Sequence, residues 1–237
     1  MSAERASARQ PVPAWLEPIR RGAAPITAAD LTGWLPPADA APRRGAVLML
    51  FGEGPGGRDL LLTERAHDMR SHPGQISFPG GSVDEGETAV ETALREAREE
   101  THLDPATVEV IGQLPELWLP PSNFAVTPVL AWWHTPSPVT VVDPGEVNAI
   151  LREPIDELLD PAHRISVRHP SGYVGPGFTI GEDKDLILWG FTAGIISRLF
   201  DYVGWTRPWD ESRTRDLPGY MIRRPVDGAA GDPRERP

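Results

Sequence analysis

Three glutamates, Glu96, Glu99 and Glu100, crowd the segment Arg95-Glu96-Ala97-Arg98-Glu99-Glu100. If that segment is helical, at roughly 100° per residue, Glu100 lies about 40° to one side of Glu96 and Glu99 about 60° to the other. Val90, Ala93, Leu94 and Ala97 fall on a neighbouring sector, so the carboxylates share one stripe beside a small apolar face. Glu96 and Glu100 are like charges at i,i+4, which costs a few tenths of a kcal/mol. They also lie near the helix C-terminus, where the macrodipole disfavours anions. Two accounts fit. The stripe is either a solvated acidic face compensated by Arg95 and Arg98, or a set of hard oxygen ligands suited to magnesium or manganese rather than zinc.

Several elements must position this helix, expected from about Thr88 to Thr101. A Gly80-Gly81 corner and an acidic turn precede it. Upstream, the apolar run Gly45 to Phe51 reads as a buried strand. Turn residues Gly52 to Gly57 then lead to a partner strand, Asp59 to Arg65. His67 to Gly74 reads as a loop and Gln75 to Phe78 as a brief strand. Beyond the helix, strands are expected at Glu109 to Leu114 and Val126 to Trp133. The loop between them, PELWLPPSNF, is kept irregular by Pro120 and Pro121. Glu146 to Leu151 and Tyr173 to Ile180 read as further strands, with a short helix from Ile155 to Leu159 between them. A second amphipathic helix is expected over Asp185 to Tyr202, where Leu186, Leu188, Trp189, Ala193, Ile196, Leu199 and Phe200 recur at helical spacing. Strands around two such helices imply an α/β fold with a mixed sheet between helices. Residues 1–42 are expected to form an arm packed loosely on the domain, 43–206 the domain itself, and 207–237 a loosely ordered tail.

Composition narrows the chemistry. The formal net charge of -11 argues against a surface that neutralises nucleic acid or anionic membrane. Absence of cysteine removes disulfides, thiolate metal sites and Cys nucleophiles. No secretory signal or spanning segment is read from the sequence, so a cytoplasmic protein is expected. Ser77 and Ser122 have no Ser-His-Asp constellation around them. His67 and His72 read better as loop residues than as zinc ligands.

The spacing around the carboxylates resembles the signature of the Nudix hydrolases. It runs Gly81, five residues, Glu87, seven residues, Arg95-Glu96, an apolar residue, any residue, Glu99-Glu100, any residue, then His102 and Leu103. That resemblance implies an α/β/α sandwich, with Glu96, Glu99 and Glu100 as metal-binding carboxylates for Mg2+ or Mn2+. Glu87 and Arg95 would orient the loop and helix. Only His102 departs, standing where the family has Gly. A left-handed cap is expected there, which His tolerates better than most side chains.

A second likeness lies immediately upstream. Leu61, Leu62, Thr63, Arg65, Ala66, Arg70, Gly74, Phe78, Pro79, Gly80 and Gly81 fill every fixed place of the motif that marks the coenzyme A pyrophosphatase branch of that family. With SNFAVTPVLA and LWGFTAGII, the likeness covers roughly residues 44–203. It implies hydrolysis of the diphosphate of coenzyme A or its thioesters. Arg65 and Arg70 would be phosphate contacts, since guanidinium forks match phosphate oxygens. Gly80 and Gly81 would admit close backbone approach. A surface ion pair with Glu64 or Asp68 is the plainer account of each Arg. Glu99 is expected to take a proton from water, with Glu146 as the other candidate. Trp118 could stack on adenine, with Asn123 and Phe124 as weaker candidates, and Trp132 and Trp133 read as core. The partner implied is a small molecule, with a homodimer admitted and neither nucleic acid nor membrane expected. The metal box alone would also fit ADP-ribose or a nucleotide sugar, and a catalytically silent sensing module would not need all three carboxylates.

Overall fold

A computed structural model describes residues 11–34, 36, 40–69, 73–120 and 122–222. Helices α1 (Glu17–Ala23) and α2 (Ala28–Leu31) come first. They are followed by a hairpin of β1 (Arg43–Gly54) and β2 (Gly57–Arg65), turned at Pro55 and Gly56. Two short strands, β3 (Ile76–Ser77) and β4 (Gly80–Ser82), lead into α3 (Ala89–Thr101). Next come β5 (Val108–Gln113), β6 (Leu117–Leu119), β7 (Phe124–Trp133), β8 (Val147–Pro154) and α4 (Ile155–Leu158). Then follow β9 (Arg164–Arg168), β10 (Val174–Ile180), β11 (Leu186–Leu188), α5 (Gly190–Tyr202) and β12 (Thr214–Asp216).

β1 is the central strand, and its alternation explains the layers. Ala46, Leu48 and Leu50 point to one face and pack with Ala93 and Ala97 of α3. Met49 and Phe51 point to the other, among Leu16 and Ile19 of the N-terminal helical segment and Leu199 and Phe200 of α5. The result is the α/β/α sandwich. Its sheet is mixed, because β1 runs parallel to β7 and antiparallel to β2. β1 exchanges partners mid-strand: Phe51 to Gly54 pair with β2, whereas Gly45 to Val47 pair with β4. Beyond Leu60, β2 is left free to pair with β3 on that side, and with β8 along its other edge. The fork between β2 and β4 is where the candidate site forms.

Several regions depart from the sequence reading, among them Arg164 to Arg168, which the sequence left unassigned and which form β9. The N-terminal segment is not loosely packed where it is described, since Leu16, Ile19, Ala23, Ile26 and Leu31 are buried in the main core. Burying each large aliphatic side chain contributes about 1.5–3 kcal/mol. Leu117 to Leu119 form a strand on β7 just ahead of Pro120, because proline biases the residue before it towards extended backbone, which a strand also uses. The helix expected from Asp185 begins at Gly190: Leu186 to Leu188 pair with β10, and Trp189 is extended before Gly190 turns at φ +70°. The open edge of β10 claims that short apolar run, which periodicity alone assigns to a helix. Within the tail, Thr214 to Asp216 pair with β9, and Leu217 and Met221 are buried against Ile165 and Val167. Among the described residues no helix is long and apolar enough to cross a membrane.

Candidate active site

α3 starts at a capping box. Thr88 Oγ1 accepts the Glu91 backbone N–H at 3.3 Å, and Glu91 accepts the Thr88 N–H at 2.9 Å. Such a box fixes the first turn of the helix. At the other end, His102 takes a left-handed conformation, φ 58° and ψ 22°, and its N–H donates to Arg98 O at 2.9 Å. A side chain in that region costs roughly 1–2 kcal/mol relative to glycine. His102→Gly is therefore expected to raise the melting temperature by about 2–8 °C in a thermal scan, and an unchanged or lower value would refute a strained cap.

Arg95 is the hub of the acidic stripe. It donates twice to Glu87, at 2.7 and 2.9 Å, and to Ser82 O at 3.1 Å. It also reaches Glu96 at 2.9 Å and Glu99 at 3.2 Å. Glu87 further accepts Thr92 Oγ1 at 2.8 Å and the Asp84 N–H. Bonds from Arg95 first, then Thr92, hold the Glu87 carboxyl down at about 2. The two residues expected to orient the loop are thus bound to each other across it. Thr92 and the Ser82 carbonyl were missed in the sequence, although Thr92 stands one helical turn before Glu96 on the same stripe.

The remaining carboxylates are less comfortable. Glu96 is held above the usual carboxylate range by burial, an effect Arg95 relieves in part. Glu100 is pushed up to about 8, chiefly by burial and then by the charge of Glu96. The Gly80 amide and Arg65 offset only part of this, and Glu146 adds to it. One oxygen of Glu100, Oε2, is buried without a hydrogen-bond partner. Buried polar atoms are rarely left so. Glu99, by contrast, has 58% of its side chain exposed and is open to water.

Gly80 and Gly81 close the floor. A Cβ on Gly80 would come within 2.3 Å of the Ala46 carbonyl oxygen, and one on Gly81 within 2.3 Å of Glu96 Oε1. The fork therefore admits the Glu96 carboxylate only because position 81 lacks a side chain. Arg65, at the end of β2, extends towards Glu100; it reaches Met69 Sδ at 3.1 Å and its Nε is buried without a partner. Glu146 is brought in by a segment that runs along the end of α3. Thr140 N–H donates to Thr101 O at 3.0 Å and Val142 N–H to Glu100 O at 3.3 Å, after which Asp143 turns the chain. The structure thus gathers Glu87, Arg95, Glu96, Glu99, Glu100, Arg65, Gly80, Gly81 and Glu146 around one fork. Arg70 and His72 lie outside the described residues. Trp132 and Trp133 are core residues, and Trp118 donates to Asn123 at 3.1 Å at the far edge of the sheet.

As the side chains stand, no three Asp, Glu or His groups among the described residues enclose a point at metal distance. Arg95 holds two of the candidates. An unpartnered buried carboxylate oxygen beside two further carboxylates is nevertheless the donor set that a hard divalent cation takes.

Comparison with known proteins decides the family, because residues 41–171 match the NUDIX domain. The chain belongs to the Nudix hydrolase family. It is 38% identical over 177 residues to the Nudix hydrolase NudL of Enterobacter sp. (strain 638), spanning 68% of this chain and 83% of that protein. Nudix hydrolase 15, mitochondrial, of Arabidopsis thaliana is 35% identical over 167 residues, 66% of this chain and 57% of its own length. Among solved structures, the Nudix hydrolase RenU of M. smegmatis superposes with a TM-score of 0.51 at 20% identity, covering 76% of this chain and 99% of that one. The last likeness concerns the Nudix fold alone, which the α/β/α layering shares.

Proposed function

We propose that this Nudix hydrolase cleaves the diphosphate of coenzyme A or its thioesters to 3′,5′-ADP and (acyl-)4′-phosphopantetheine. The observation that carries the reading is the placement of the upstream motif. Its strand end, with Arg65, and its Gly80-Gly81 corner form the two arms of the fork that faces Glu96 and Glu100. A motif selecting one diphosphate is thereby set against carboxylates suited to hold a cation on it. Glu96, Glu99 and Glu100 would be the ligands of Mg2+ or Mn2+, which when bound supplies charge neutralisation and Lewis acidity at the diphosphate.

The chain's own residues do the rest. Arg65 pairs with a phosphate oxygen, as a guanidinium does well. Glu99, open to solvent, accepts the proton of the attacking water, and Glu146 is the other carboxylate placed to do so. Water oxygen bonds to one phosphorus, the bridging P–O bond breaks, and the second phosphate leaves with the bridging oxygen. Glu87 keeps Arg95 turned towards the stripe, so that Glu96 and Glu99 stay on one side of the helix. A cytoplasmic setting belongs to the same proposal.

The test is release of 3′,5′-ADP from coenzyme A, set beside hydrolysis of ADP-ribose and a nucleotide sugar, under Mg2+ or Mn2+. Preference for coenzyme A and loss of turnover with chelator are expected. Preference for ADP-ribose would overturn the substrate, and no release from any of them would leave a ligand-sensing module. Gly81→Ala is expected to slow the reaction by about 10²-fold, the cost of misplacing a reacting group by about 1 Å. The atoms that must give way are the flexible end of Glu96, so the melting curve should change little. Full activity in Gly81→Ala would remove Glu96 from the site.

A further inference from the structure

Glu64 belongs to no step described above, yet its carboxylate is among the most buried in the protein, at 5% exposure. It alternates with Arg65 on β2 and so faces away from α3. Two groups satisfy it: Asn148 Nδ2 donates to one oxygen at 2.7 Å and His67 Nε2 to the other at 2.9 Å. A carboxylate oxygen accepts, so Nε2 of His67 is the donor of that contact. Burying a carboxylate is costly unless it is so bonded, and here both partners come from segments that flank the fork.

Their position in the sheet gives the arrangement its meaning. β2 and β8 pair in step through Thr63 with Ile150 and Glu64 with Ala149, but the next pair is Arg65 with Val147. Asn148 is the extra residue of a bulge, the device by which a strand re-aims its neighbours beside functional sites. Immediately past the bulge, Ala66 N–H donates to Glu146 O at 2.9 Å. On one side of this splice stands Arg65, and on the other Glu146. Both act on Glu100.

We propose that Glu64 is a positioning residue: through Asn148 and His67 it locks the bulge that sets Glu146 against Arg65 and the carboxylates of α3. The proposal rests on the hydrolase reading of that site but not on the identity of the diphosphate. Glu64 touches no reacting atom. It holds the β2 end and the β8 start in one register, so that the segment carrying Glu146 cannot slide relative to the strand carrying Arg65.

Two measurements test it. The first is amide hydrogen exchange on the protein without substrate. In Glu64→Ala, and in Asn148→Ala should the buried substitution not fold, the Ala66 amide exchanges at least ten-fold faster while those of Leu48 and Val129 in β1 and β7 are unchanged. The second is kinetics with whichever nucleoside diphosphate derivative the wild type turns over. Loss of an outer-shell partner typically costs 10–100-fold, and here it should fall on kcat with little change in KM. The loss should shrink to less than about three-fold when Glu146→Gln is already present, because coupled sites are not additive. An unchanged Ala66 amide, or equal kinetic losses in both backgrounds, overturns the proposal. A wild type that hydrolyses nothing overturns the hydrolase reading instead, and the exchange result then decides whether Glu64 locks the bulge.

Discussion

Glu99→Gln and Glu100→Gln each slow turnover by roughly 10²–10⁴-fold, the range expected for removing a proton acceptor or its equivalent from a site, and both proteins remain folded. The expectation comes from how differently the two side chains are placed. Glu99 is exposed and shares Arg95 with Glu96, so its amide variant keeps the fold and loses a charge in contact with water. Glu100 is buried with an unpartnered oxygen, so its amide variant relieves the fold while removing a proposed ligand. Steady-state rates under saturating Mg2+ or Mn2+ decide it. Either variant at near wild-type speed would strike that residue from the metal set.

The second large effect concerns stability without metal. Folding raises the Glu100 carboxyl from its ordinary range to about 8, mainly through burial, and raises Glu96 in the same direction. Below the ordinary carboxylate range both folded and unfolded chains hold these protons and nothing is lost. Between that range and about 8 the unfolded chain has released the Glu100 proton while the folded one retains it, so stability falls as pH rises. Glu87, held down at about 2, works in the opposite sense but only at acid pH, outside this window. The chelated protein should therefore melt at a lower temperature at pH 8.5 than at pH 6. Glu100→Gln should flatten that slope and raise the melting temperature at the alkaline end. Adding Mg2+ or Mn2+ to the wild type should abolish it, because a cation favours the ionised form. A chelated protein whose melting temperature rises steadily over this interval, or a Glu100→Gln variant less stable at pH 8.5, would refute the assignment of Glu100 as an electrostatic liability.

Much of this site was legible in the sequence because its residues act through short spacings. Glu96, Glu99 and Glu100 lie within two turns of one helix, and the cap at His102 is local backbone geometry. Gly80 and Gly81 were visible as a corner, though only the packing shows that one excludes a side chain from the Ala46 carbonyl and the other from Glu96. The long strands β1, β2 and β7 and the helix α3 followed from apolar runs and periodicity. What escaped depended on partners distant in the chain. Leu186 to Leu188 continue a helical pattern, yet an open strand edge outbids it. Leu16 and Ile19 sit in a Pro- and Ala-rich segment that gives no hint of the groove they fill. Glu64 occupies a variable place in its motif, and its bonds to Asn148 span 84 residues.

The mid-strand exchange of partners by β1 has a consequence for how such an enzyme changes its ligand over evolutionary time. Ala66 leaves the sheet and Gly74 meets it again at a closed base, where the Gly74 N–H donates to Arg65 O and the Arg65 N–H to Gln75 O. α3 hangs from the other half of β1 by way of Gly80 to Ser82. The strand that bears this closed base rests on Phe51 to Gly54 of β1, whereas the strand leading into the helix that carries the carboxylates rests on Gly45 to Val47. A chimera exchanging only the segment between Ala66 and Gly74, with the carboxylates of α3 kept, is the natural means of asking whether that segment alters which diphosphate is taken.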